Sequence, residues 1–169
     1  DISIRDIKNF RQLNGKCAGH PEFGHINGIE TTTGPLGQGL GNAVGMALME
    51  RLLANEFGNK MCNHFTYVIA SDGDLMEGIS HEAASFAGHQ KLNKLIVFFD
   101  DNGISIDGPV KLSNSEKTID RFKSYNWNTI KINGHKVDEI ERAIKKAQKS
   151  SKPTIISCKT KIGFGSPNK

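Results

Sequence analysis

Ile4, Ile7, Phe10 and Leu13 recur at every third position behind Ser3 and Asp6, a spacing and start signal that predict a short amphipathic helix over 3–13. From Gly15 to Gly41, Gly, Pro, Thr and Asn leave neither helical nor strand period intact. That stretch is too long for an idle connector and reads as a functional loop. Residues 42–57 are small and apolar on most faces before they become charged, which predicts a largely buried helix starting beneath the loop. His64 to Ala70 is a β-rich run halted by Ser71-Asp72-Gly73-Asp74, a strand feeding a turn. A helix is predicted over 77–90, then a continuous apolar strand, Leu95 to Phe99, ending in Asp100-Asp101-Asn102-Gly103. A hairpin-like Ile104 to Gly108, a short helix near 115–124, a strand over 129–132, a helix over 136–149 and a strand over 154–158 complete the pattern. No repeat of the solenoid kind is present.

Apolar strands alternating with helices imply βαβ units and right-handed crossovers. The expected fold is α/β, a three-layer parallel sheet with helices on both faces. In such sheets ligands bind beyond the carboxyl ends of the strands, where the sequence sets Asp72 and Asn102. The 28 residues between Gly73 and Asn102 are about what one helix and one returning strand require, so both tips are expected at the same sheet edge.

Composition narrows the classes. With 169 residues and 37% hydrophobic content the chain can bury one sizeable core, and disorder is excluded. No apolar run approaches membrane-spanning length and no signal peptide opens the sequence, so no membrane partner and a cytoplasmic location are expected. Cys17, Cys62 and Cys158 form no metal spacing and read as reduced thiols. The net charge of +4 is unevenly placed: residues 1–110 carry 8 basic and 13 acidic side chains, residues 111–169 carry 14 and 5. The acidic, Gly-rich part is the expected site. Lys145, Lys146, Lys149 and Lys152 read as a solvated helix face, and no aromatic interleaving suggests nucleic acid.

The strand tips suggest a chemistry. Asp72 followed by Gly73 offers a carboxylate beside backbone that an anion can approach, with helix N–H groups behind it. Asn102 brings an amide oxygen, and the turn at Gly103 lets a carbonyl such as that of Ile104 point inward. One carboxylate and neutral oxygens suit Mg²⁺ or Ca²⁺ completed by diphosphate and water. Asp-Gly and Asn-Gly are also common turn formers, and each tip alone could be only a turn.

Four segments, Ala18-Gly19-His20-Pro21-Glu22, Glu30 to Gly39, Asp72 to Glu82 and Asp100 to Gly108, together with Cys158 to Lys169, closely resemble transketolase nearly end to end. The resemblance implies the thiamine diphosphate-binding (PP) domain over 1–169, incomplete at both ends, with thiamine diphosphate and Mg²⁺ (or Ca²⁺) as cofactors. It implies that Asp72, Asn102 and the Ile104 carbonyl are metal ligands and that the Gly73 backbone meets the diphosphate. Gly34 and Leu36 match positions against the aminopyrimidine and thiazolium end. His20 matches a histidine that contacts the sugar near the reacting carbon. Glu77 matches a glutamate near the subunit interface that communicates with the cofactor-activating glutamate of a partner subunit's pyrimidine-binding domain. The family moves a two-carbon ketol unit between sugar phosphates in the pentose phosphate pathway, as a homodimer. Ser71 stands where the family usually has glycine, and serine is expected to keep the strand-end conformation.

The same residues admit other readings. Dihydroxyacetone synthase and the N-terminal subunit of a split transketolase share these motifs, and a non-catalytic assembly module is the reading from another class. Because the pyrimidine-binding domain is missing from this span, the chain alone is expected to be inactive. A dinucleotide fingerprint fails, since Gly39-Leu40-Gly41 is followed by Gly45, one place late, with no strand before it. His81-Glu82 is not a zinc motif, because Ser85 stands where the second histidine belongs. His25 and His64 read as surface or packing residues.

Overall fold

The computed structural model describes residues 2–167. Its sheet has four parallel strands in the order β1-β2-β6-β5: β1 (Thr66–Ser71), β2 (Leu95–Asp101), β5 (Asn128–Asn133) and β6 (Thr154–Lys159). A two-stranded antiparallel hairpin, β3 (Ile104–Ser105) and β4 (Gly108–Pro109), follows β2. Helices α1 (Ile4–Lys8), α2 (Gln38–Phe57), α3 (Asp72–Met76), α4 (Gly78–His89), α5 (Thr118–Ser124) and α6 (Val137–Ala147) complete the fold. The α/β expectation, a parallel sheet with helices on both faces, holds.

Strand alternation explains the two layers. Ala70, Val97, Phe99 and Ile155 point to one face, where α2, α3, α4 and α5 cover them. Ile96, Ile156, Cys158 and Ile130 point to the other, against Ala143 and Ala147 of α6. The step from β1 to β2 runs in one direction along the sheet and the step from β5 to β6 in the opposite one, so the right-handed rule sends α6 to the opposite face. Ala43 and Ala47 of α2 and Ala84 and Ala87 of α4 are small enough to let these helices pack closely. Trp127 fills the end of that layer, its indole N–H donating to the Ala84 carbonyl at 2.8 Å.

Three expectations are corrected. Helix α2 begins at Gln38 rather than 42, because Leu40 is buried under the loop and Gly37, at φ 78°, turns the chain into the helix. Helix α1 stops at Lys8, and Ile4, Ile7 and Leu13 remain exposed, so the stripe that predicts a longer helix has no packing surface among the described residues. Ser71-Asp72-Gly73-Asp74 is not a turn but the start of α3.

Candidate functional site at the carboxyl edge of the sheet

Strand β1 ends at Ser71 with an extended φ of −107°, a conformation any residue adopts, so serine in place of glycine carries no backbone strain. Asp74 Oδ2 accepts from the Ser71 N–H and from the Ser71 hydroxyl, both at 2.8 Å. This capping arrangement turns the polar segment directly into a helix. Asp72 and Gly73 therefore sit in the first turn of α3, tied to the tip of an edge strand.

The neighbouring tip comes from β2. The parallel register pairs Ser71 with Asp100, so Asp72 and Asn102 leave the same edge of the sheet. Their loops are neighbours, for the Gly103 backbone N–H is close enough to the Asp72 carboxylate to favour its charged form. Asn102 accepts from the Ile104 N–H through Oδ1 at 2.8 Å and donates through Nδ2 to Asp100 Oδ2 at 2.9 Å. Ile104 faces Pro109 across the hairpin, and proline has no N–H to offer the Ile104 carbonyl.

Asp72 is the electrostatic anomaly. It is buried, and its Oδ2 has no hydrogen-bond partner. Burial pushes its carboxyl above the usual carboxylate range, the charges of Asp101 and Asp100 push it further, and the Gly103 N–H and Lys159 oppose them. An unpaired buried carboxylate oxygen is costly unless a cation meets it. Among the described residues no three His, Cys, Asp or Glu side chains gather to hold a metal by themselves. The donor set is one carboxylate and neutral oxygens, which fits a hard cation that brings anionic ligands of its own.

The long loop closes over the other side of the tip. His20, Gly34, Leu36, Ile69 and Asp74 line a cavity of about 290 Å³. A Cβ on Gly34 would lie 3.2 Å from the His20 ring, so the bare backbone seats the imidazole. A Cβ on Gly73 would meet Leu36 Cδ1 at 3.3 Å and Ser105 Oγ at 3.6 Å, which sets Gly73 between the cavity wall and the hairpin. The cavity is lined by Asp74 rather than Asp72, so His20, Gly34 and Leu36 form one group and Asp72, Asn102 and Ile104 another, joined at Gly73. Glu77 is exposed at the end of α3, its Cβ 2.8 Å from where a Cβ on Gly37 would stand.

Some residues at this edge escaped the sequence reading. Asp74 Oδ1 accepts from the Gly37 N–H at 3.1 Å and so ties α3 to the loop; the Ser-x-x-Asp spacing was the signal that could have found it. Arg121 donates to the Leu75 carbonyl at 2.7 Å and pairs with Glu116 at 3.2 Å, holding the far end of α3 from α5. Asp100 and Thr160, hydrogen-bonded to each other, carried no local signal. His25 bonds the Gly15 carbonyl at 2.8 Å and His64 is exposed, as expected of surface residues.

The family model described as transketolase, thiamine diphosphate binding domain, matches residues 1–169. The chain is 52% identical over 165 residues to the transketolase of Sinorhizobium medicae, covering 98% of this chain and 24% of that protein. It is 56% identical over 172 residues to the transketolase of Staphylococcus epidermidis, covering 99% and 26%. The fold is similar to the crystal structure of Campylobacter jejuni transketolase, with a TM-score of 0.89 at 46% identity over 95% of this chain and 25% of that one. It is also similar to the Pichia stipitis transketolase complex with sedoheptulose-7-phosphate, with a TM-score of 0.91 at 44% identity over 99% and 26%. The chain spans about a quarter of the length of the curated relatives it matches.

Proposed function

The chain belongs to the transketolase family, as its thiamine diphosphate-binding domain, and from that premise we propose that it serves an enzyme moving a two-carbon ketol unit between sugar phosphates in the pentose phosphate pathway. In this reading Asp72, Asn102 Oδ1 and the Ile104 carbonyl hold Mg²⁺ or Ca²⁺, and the Gly73 backbone receives the diphosphate beside it. The carrying observation is the buried, unpartnered Oδ2 of Asp72 one loop away from two further oxygen donors.

When bound, thiamine diphosphate supplies a nucleophilic thiazolium carbon and an electron sink that no side chain offers. The chain's own residues position and shield. Gly34 and Leu36, on the cavity wall, would hold the ring end of the cofactor. His20, exposed at the cavity and backed by Gly34, hydrogen-bonds sugar hydroxyls near the reacting carbon. Glu77, exposed beside Gly37, is available to the pyrimidine-binding domain of a partner subunit in a homodimer. The bare apolar side chains of Ile4, Ile7, Leu13 and Ile69 support further protein surface against this domain. A cytoplasmic setting is supported by the three free cysteines, which suit a reducing compartment.

The test uses the full-length native chain that carries this sequence. Calorimetry with thiamine diphosphate is expected to give metal-dependent binding, and ketol transfer from a ketose phosphate to an aldose phosphate is expected to require both. Binding that is indifferent to Mg²⁺, Ca²⁺ and Mn²⁺ would overturn the assignment of Asp72, Asn102 and Ile104.

A further inference from the structure

An asparagine amide has two ends of nearly equal size and opposite polarity, and only its oxygen can ligate a cation. The tip of β2 must therefore decide which end of Asn102 faces the site. Nδ2 donates to Asp100 Oδ2 at 2.9 Å while Oδ1 accepts from the Ile104 N–H at 2.8 Å. Rotating the amide by half a turn would set its oxygen against a carboxylate and its NH₂ against an N–H, two repulsive contacts in place of two hydrogen bonds.

Asp100 is itself held. Its Oδ1 accepts from the Thr160 hydroxyl, and the Thr160 N–H donates to the Asp101 carbonyl at 3.3 Å. Thr160 follows β6, which pairs with β2 through Asp100 and Cys158 and through Asp101 and Lys159. Its methyl is pressed from the end of β5: a Cβ on Gly134 would stand 2.5 Å from Thr160 Cγ2, so only glycine fits there. The Gly134 N–H in turn donates to the Lys159 carbonyl at 2.9 Å. The neighbouring carboxylate is engaged elsewhere, Asp101 accepting from the Ser157 hydroxyl and Lys159 Nζ, each at 3.1 Å. Of the two adjacent acids, Asp100 is the one that bonds the amide.

We infer that Asp100, clamped by Thr160 against Gly134, is a positioning residue that turns the Asn102 amide oxygen toward the cation. The inference rests on the metal reading proposed above. It assigns Asp100 a directional role, that of a hydrogen-bond acceptor, rather than the role of an extra negative charge near the ion. Outer partners of this kind typically govern metal affinity by one to two orders of magnitude.

Mn²⁺ binding to the full-length chain, followed by electron paramagnetic resonance in the presence of thiamine diphosphate, separates these roles without reference to turnover. Asp100→Ala is expected to weaken Mn²⁺ binding about tenfold. Asp100→Asn removes the same charge but can still accept from Asn102, with the Thr160 hydroxyl reversing to accept from the new amide, and is expected to stay within about threefold of the parent. Thr160→Val is expected to weaken binding about threefold and Thr160→Ser to leave it unchanged. In an Asn102→Asp background, where both ends of the side chain are oxygens and one of them faces the Asp100 carboxylate, Asp100→Ala is expected no longer to weaken binding and instead to relieve that repulsion. Equal losses in Asp100→Asn and Asp100→Ala, or no loss in Asp100→Ala, would overturn the inference. Asp72→Ala and Asn102→Ala separate it from the premise: if both abolish Mn²⁺ binding and Asp100→Ala does not weaken it, the inference alone fails, and if neither does, the metal reading fails with it. Melting temperatures of the metal-free variants identify any that misfold, and the well-tolerated pair Asp100→Asn and Thr160→Ser then carries the comparison.

Discussion

The carboxylates of α6 and the carboxylate of Asp72 show two ways of placing an acid in one fold. Asp138 pairs with Arg142 at 2.7 Å and Glu141 with Lys145 at 2.6 Å, one helical turn apart and open to solvent. Those partners hold both carboxyls below their usual range. Asp72 is buried, meets like charges from Asp101 and Asp100, and rises above its usual range. The exposed acids are paired within their own helix, whereas the buried one is left short of a partner. The shortage at Asp72 is a cost to the fold that a bound cation would offset.

Removing each kind of acid sharpens the contrast. The largest effect is expected from Asp72→Ala, which should weaken divalent-metal binding, and with it thiamine diphosphate binding, by about 100-fold or more in calorimetry. Asn102→Ala removes a neutral donor and is expected to cost about 10- to 100-fold in the same measurement. A loss at Asn102 larger than that at Asp72 would contradict the ranking of charged over neutral ligand.

A smaller and opposite effect is expected on stability. The folded state holds the Asp72 proton above the ordinary value near 3.8, so between that value and the raised one it binds a proton that the unfolded chain has released. The stability contribution is fully present below 3.8 and is lost as pH rises through the raised folded value. Asp72→Asn removes this loss. Without metal at neutral pH it is expected to melt above the parent, by about 2–4 °C for each kcal/mol recovered, and to gain nothing from added Mg²⁺ and thiamine diphosphate. A lower melting temperature would contradict the burial penalty.

The smallest effect is expected on α6. Asp138→Ala and Glu141→Ala should leave both metal binding and the melting temperature unchanged within error, because exposed pairs one turn apart exchange protein partners for water at little cost. A measurable drop in either quantity would remove the distinction between the two classes of acid.

Much of this was legible before any coordinates. The run Leu95 to Phe99 could only be a doubly covered strand, and the spacing of Asp72 from Asn102 set both at one sheet edge, as the register of Ser71 with Asp100 confirms. Helix α3 was missed because Asp-Gly is a turn signal when read alone, and the Ser71 to Asp74 capping box outweighs it only once both side chains are seen to close. The helix predicted over 3–13 was overextended because periodicity reports a face that wants burial and does not say whether a partner surface is present.

The amino-acid sequence by itself determined the alternation of elements, the parallel α/β class and the identities of the strand-tip residues, since these follow from periodicities of two and of three to four along the chain. Tertiary structure alone decided that Asp72 Oδ2 is buried without a partner, that His20 rests on Gly34, and that Thr160 reaches across to Asp100 to orient Asn102. Those relations join residues as far apart as Asp100 and Thr160, 60 positions along the chain. Burial and hydrogen-bond satisfaction are properties of what the rest of the chain places around a group, and no local pattern encodes them.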